Sequence, residues 1–95
     1  MEKETIHKNL CDEMHQLYLR KNADYGDSFA KVRSEVPNAI IVRLSDKLNR
    51  LKSLMNNRFG GQKVSDESID DTLMDLANYA VLELVERRYE RKGEE

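Results

Sequence analysis

Tryptophan is absent from this chain, and cysteine and proline occur once each. Without tryptophan, and with aromatics at only 6% of residues, few large side chains are available to fill a core. The lone Cys11 excludes an internal disulfide and suits a reducing compartment. A single proline and four glycines leave few breakers, which favours helices. No run of β-branched residues alternates with polar ones, so strands are not expected. No segment approaches the roughly 20 apolar residues that a membrane span needs. The N-terminal residues lack the apolar stretch of a secretion signal, so the expected location is the cytoplasm. Neither charge dominates: 16 basic and 18 acidic residues are well mixed, for a net charge of −2. That excludes a strongly basic nucleic-acid surface, and direct nucleic-acid binding is not expected.

Charge is abundant instead, at 36% of 95 residues. A chain of this length makes one domain, taken as residues 1–95. It buries a modest share of its surface alone, so self-association into a dimer or tetramer is expected. Ile6, Leu10, Met14 and Leu17 recur at helical spacing and predict a first helix from about Glu4 to Lys21. It should stop near Asn22 to Gly26, followed by a short apolar turn at Phe29, Ala30 and Val32. Pro37 suits the first turn of a second helix reaching about Asn57. Its apolar stripe is Ile40, Ile41, Leu44, Leu48, Leu51 and Met55, flanked by Arg43, Lys47 and Arg50. Asn56 to Lys63, with Gly60-Gly61, reads as a loop. Ser65 is a good N-cap, with Val64 and Ile69 at staple positions, for a third helix ending near Arg91. Its core stripe should be Ile69, Leu73, Leu76, Ala80 and Leu84. The fold class is all-α: a bundle of three main helices, completed by self-association.

The third helix also carries Glu67, Asp71 and Asp75 at i, i+4 and i+8, with Asp70 alongside. Like charges one turn apart destabilise a helix. A divalent cation offsets that repulsion; so does plain solvation, the commoner fate of an acidic face. Beyond the acids, the stretch from Leu76 to Leu84 is apolar almost all round. A helix of that kind is covered on both sides, which places the acids at the mouth of a cleft. Glu67 and Asp70 also complement the positive helix start. His7 and His15 have no zinc-like spacing to other ligands and read as surface residues.

Three segments carry a resemblance. They are Lys21-Asn-Ala-Asp24-Tyr25-Gly26-Asp27-Ser28-Phe29, Arg43-Leu-Ser-Asp46-Lys47-Leu-Asn-Arg50-Leu and Asp71-Thr-Leu-Met-Asp75-Leu-Ala-Asn-Tyr79-Ala. In that order they resemble the all-α nucleoside triphosphate pyrophosphohydrolases, the MazG-like superfamily. More narrowly they resemble its nucleotide modification associated domain branch, widespread in phages. The chain departs from the superfamily pattern in one respect: the Glu-Glu-x-x-Glu run of the second conserved helix is missing, and Asp46 alone stands there.

The resemblance implies Mg²⁺-dependent hydrolysis of a nucleoside triphosphate to its monophosphate and pyrophosphate. It implies metal ligation by Asp46, Glu67, Asp71 and Asp75, with Asp71 and Asp75 as the catalytic acids. Lys47 and Arg50 would bind phosphate, and Lys21, Asp24 and Tyr25 would close over the nucleotide. Asn78, one turn beyond Asp75, would hydrogen-bond the ligand. Plainer roles stand beside these. Asp46 and Arg50 are spaced for an ordinary i, i+4 ion pair, and Asp24-Tyr25-Gly26 for a helix stop and turn. The alternative functions are a non-catalytic nucleotide-sensing or protein-interaction module, and a helical oligomer serving phage or host assembly.

Overall fold

In a computed structural model the described residues form four helices: α1 (Lys3–Tyr25), α2 (Ser28–Glu35), α3 (Ala39–Phe59) and α4 (Asp66–Glu94). The structure describes residues 2–25, 27–59 and 66–94, apart from the side chains of 23–25, 57–59, 66–67 and 94. No strand occurs among the described residues, as the missing period-2 pattern predicts. The expected loop at Gly60-Gly61, the Val64 staple, the Ser65 cap and the Gly26 turn lie outside the described residues.

The helices run longer than the sequence signals suggest. α1 continues to Tyr25, past the expected stop at Lys21, and α4 passes through Gly93. One exposed glycine costs a helix end only about 1 kcal/mol, too little to end it by itself. The apolar turn around Phe29 is a full eight-residue helix. Its first turn is closed by the Lys31 N–H donating to the Asp27 carbonyl at 3.2 Å. It ends at Val36, whose φ of −132° and ψ of 87° are extended. A residue before proline is driven out of the helical region by clash with the ring, so Pro37 sets this boundary. Pro37 therefore precedes α3 by a short turn and does not occupy its first helical position. The turn is held by the Ala39 N–H donating to the Val36 carbonyl at 2.9 Å.

α3 and α4 form the main packed pair. Arg43 meets Tyr79 and Lys47 meets Asp75, so advancing four residues on α3 retreats four on α4. The two helices are antiparallel. α2 lies along α4 in the parallel sense, with Phe29 beside Tyr79 and Arg33 reaching Glu83 and Glu90. Arg33 makes a fork on Glu83, Nε to Oε1 and Nη2 to Oε2, both at 3.0 Å, and its Nη1 reaches Glu90.

The core of a single chain is thin. Among the described residues Ile69 is the one buried hydrophobic side chain. Thr72 is buried beside it, and its hydroxyl donates to the Ser68 carbonyl at 2.8 Å. The expected α4 core stripe is corrected beyond Ile69: Leu73 and Leu84 are 48% and 49% exposed, and Ala80 is exposed too. On α3, Ile41 and Leu48 are likewise exposed. The reason is rotational. α4 turns Thr72, Asn78 and Tyr79 inward within the chain, which leaves the more apolar stripe uncovered. α1 is half-buried at Met14, Leu17, Tyr18 and Asn22, while Ile6 and Leu10 are exposed.

Candidate functional site

A cavity of about 240 Å³ opens where the end of α1, the start of α2, α3 and α4 meet. Small-molecule sites usually run from roughly 300 Å³ upward, so this one suits a compact ligand or part of a longer one. α1 contributes Tyr18, Lys21 and Asn22 from successive turns. Asp27 and the first residues of α2, Ser28 and Phe29, close one side. α3 supplies Arg43, and α4 supplies Asn78, Tyr79, Leu82 and Glu86.

Aromatic and cationic groups share one wall. The Phe29 and Tyr79 rings lie 6.4 Å apart at 30° to one another. The Arg43 guanidinium sits 5.7 Å from the Phe29 ring centre and 5.3 Å from that of Tyr79. One Arg43 nitrogen donates to the Tyr79 hydroxyl at 3.4 Å. A guanidinium has five N–H donors, so most of the fork stays available for an anion. Asn78 is only 7% exposed, yet it lines the cavity, and no described side chain hydrogen-bonds its carboxamide. Among the described residues no buried side-chain nitrogen or oxygen lacks a hydrogen-bond partner, so Asn78 carries no orphaned polar atom and meets the cavity as part of its wall.

Glu86 also lines this cavity. Burial pushes its carboxyl above the usual range, with smaller upward contributions from Asp27, Glu90 and Glu83 and an opposing one from Arg33. Glu90 moves the other way, held below the usual range chiefly by its hydrogen bond from Arg33.

The residues singled out in the sequence divide. Lys21 and Asn78 meet at the cavity. The side chains of Asp24, Tyr25 and Glu67 lie outside the described residues. Lys47 pairs with Asp75 at 3.2 Å. Asp46 and Arg50 are exposed on α3, and among the described residues no ion pair joins them. Asp71 faces a second, wider recess of about 780 Å³ between α1 and α4, with Leu10, Met14 and Leu73. Among the described residues no three His, Cys, Asp or Glu side chains come close enough to hold a metal ion. Asp46, Asp71 and Asp75 therefore do not gather into one ligand set. Phe29, Tyr79 and Glu86 join the cavity without having been expected there, and Arg43, a flanking cation in the sequence, lines it too. One signal was available: Asn78, Leu82 and Glu86 stand at i, i+4 and i+8, on one stripe of α4.

The family model described as nucleotide modification associated domain 1 matches residues 21–86. The chain belongs to that family. No curated protein and no solved structure matches it. Within this member of the nucleotide modification associated domain 1 family, the matched stretch opens at Lys21 and closes at Glu86, and both line the cavity. Tyr18 is the one lining residue outside that stretch. Of the described residues, no helix is long and apolar enough to cross a membrane.

Proposed function

We propose that this protein binds a nucleoside triphosphate in the cavity between α1, α2, α3 and α4, and hydrolyses it to a monophosphate and pyrophosphate. The observation that carries the binding is the combination on one cavity wall: Asn78, two aromatic rings and the Arg43 guanidinium. Aromatic faces accept a base by stacking, and a guanidinium fork takes phosphate oxygens in pairs. Lys21 adds a second cation to the same space. The family's description points to nucleotide chemistry, and the hydrolysis is taken from the resemblance of three sequence segments to the MazG-like pyrophosphohydrolases.

Hydrolysis adds water across the bond between the α and β phosphates. Arg43 and Lys21 would hold the phosphate charge, and Asn78 would fix the ligand's orientation. Mg²⁺, when bound, would neutralise phosphate charge and orient water. Magnesium is commonly held by one or two carboxylates together with substrate phosphates. In this reading Asp75, one turn before Asn78 on α4, would take that role. The dispersal of the acids favours a second reading, a nucleotide sensor that binds without turnover.

Self-association belongs to the same proposal. The exposed apolar residues Leu73, Val81, Leu84 and Val85 of α4, with Ile6 and Leu10 of α1, form the face that a second copy would cover.

The test is pyrophosphate release from a panel of ribo-, deoxyribo- and non-standard nucleoside triphosphates with Mg²⁺ or Mn²⁺. Release from at least one member, lost in Asn78→Ala, supports hydrolysis. No release, with a rise in melting temperature on nucleotide addition, selects the sensor. Neither response across the panel removes the nucleotide reading.

A further inference from the structure

The cavity is electrically lopsided along α4. Asn78 and Glu86 are eight residues apart on one stripe, a rise of about 12 Å at 1.5 Å per residue. The end at Asn78 and Tyr79 is cationic, because Arg43 is stacked there. The end at Glu86 is acidic. Asp27, Arg33, Glu90 and Glu83 lie close enough to act on the Glu86 charge, and three of these four are acids. Arg33, a cation that acts on the Glu86 charge, is already committed to Glu83 and Glu90. Glu86 thus faces the cavity as a carboxylate whose hydrogen-bonding capacity is unspent among the described residues.

A nucleotide is lopsided in the same sense, with anionic phosphate at one end and base-edge donors and acceptors at the other. Its phosphate is repelled by Glu86 and drawn to Arg43, which leaves the base to run along Leu82 towards Glu86. A carboxylate there only accepts hydrogen bonds, so it favours bases that offer N–H groups on the edge they present. Guanine offers an imino and an amino N–H side by side, matching the two carboxylate oxygens. Cytosine and adenine each offer an amino group. Uracil and thymine place a single imino N–H between two carbonyls, whose oxygens would oppose the carboxylate.

We propose that Glu86 is the specificity-determining residue of this cavity, and that it selects nucleotides whose base presents amino or paired amino–imino donors, guanine foremost, over uracil and thymine. The inference rests on the reading of the cavity as a nucleotide site. It adds the polarity of binding: phosphate at Arg43, base edge at Glu86.

The test is calorimetric binding of the guanosine, cytidine, adenosine and uridine monophosphates and their deoxy counterparts, thymidine monophosphate included. The proteins compared are the parent, Glu86→Gln and Arg43→Ala. The parent should bind the guanosine forms about tenfold or more tighter than the uridine and thymidine forms, the scale of one charge-assisted hydrogen bond. Glu86→Gln, a near-isosteric change, should bring that ratio to within about threefold while nucleotides still bind. Arg43→Ala should weaken all of them by a similar factor and leave the ratio in place. If the parent binds all bases alike, or Glu86→Gln keeps the ratio, the inference is overturned while the nucleotide reading stands. If no nucleotide binds the parent, both fall together.

Discussion

The ammonium nitrogen of Lys47 lies 3.2 Å from a carboxylate oxygen of Asp75, tying α3 to α4. In the sequence the two residues point to separate roles, one for phosphate and one for metal. In the fold the two form an ion pair. The pair explains how α4 tolerates Asp75 one turn after Asp71: a cation from the neighbouring helix offsets part of the repulsion.

Because both side chains are about a third exposed, at 31% and 36%, the Lys47–Asp75 pair should couple by about 0.5–1 kcal/mol. A double-mutant cycle of Lys47→Met and Asp75→Asn in urea measures this. Asp75→Asn alone should destabilise slightly. A stabilising effect would show that the acids act as a repulsive stripe.

Arg33 holds α2 onto α4 through its fork on Glu83 and its bond to Glu90. Both Arg33 and Glu83 are largely buried, so Arg33→Met should cost about 1.5–3 kcal/mol. Chemical denaturation reads the loss. An effect no larger than that of an exposed pair such as Lys8–Asp12 would mean that α2 is held by its apolar contacts alone.

Acid should act on Glu86 and Glu90 with opposite signs. Glu90 has a depressed folded pKa, so its contribution is present above the ordinary carboxylate value and lost as pH falls through the folded one. Glu86 has a raised folded pKa, so it costs stability when ionised, and that cost disappears as pH falls through its folded pKa. Glu86→Gln should therefore melt above the parent near neutral pH. The gap should close as pH falls through the carboxylate range. A gap that does not change with pH would refute the assignment.

If Asn78 is kept for a ligand, Asn78→Leu should leave the melting temperature unchanged or higher while weakening nucleotide binding by about tenfold or more, as sites held for function often trade stability. A structural Asn78 would instead show a clear loss of stability with binding intact in the folded fraction.

The uncovered apolar face should make the protein dimeric or larger at micromolar concentration, with Leu84→Glu shifting it towards monomer. Sedimentation equilibrium decides this. A monomeric parent would leave Leu73, Val81, Leu84 and Val85 as solvent-facing residues and remove the association proposal.

Much of the fold was legible because helical periodicity is local. Ile6, Leu10, Met14 and Leu17 announce α1, whereas Pro37, expected in the first turn of the next helix, lies before α3 and ends α2 through Val36. α2 itself was read as a single apolar turn, since eight residues offer too few repeats to establish a period. Which face of α4 turns inward was misjudged. Hydrophobicity pointed to Leu73, Ala80 and Leu84, but packing against α3 selected Thr72, Asn78 and Tyr79.

Half of the site was legible on the same terms. Lys21 and Asn78 stood out through the segments that carry them, and both reach the cavity. The joint role of Phe29, Arg43 and Glu86 was not legible, because an aromatic, a cation and an acid on different helices gain joint meaning only when the fold brings them to one cavity. Composition and periodicity alone require an all-helical chain with a small core, and residue identity alone carries the segments that mark its family, since these are properties of the chain before it folds. Only the tertiary structure decided that Asp75 faces Lys47, and that one cavity has Arg43 at one end and Glu86 at the other. Charge interactions depend on distance through space, and the crossing of α3 on α4 is what sets those distances.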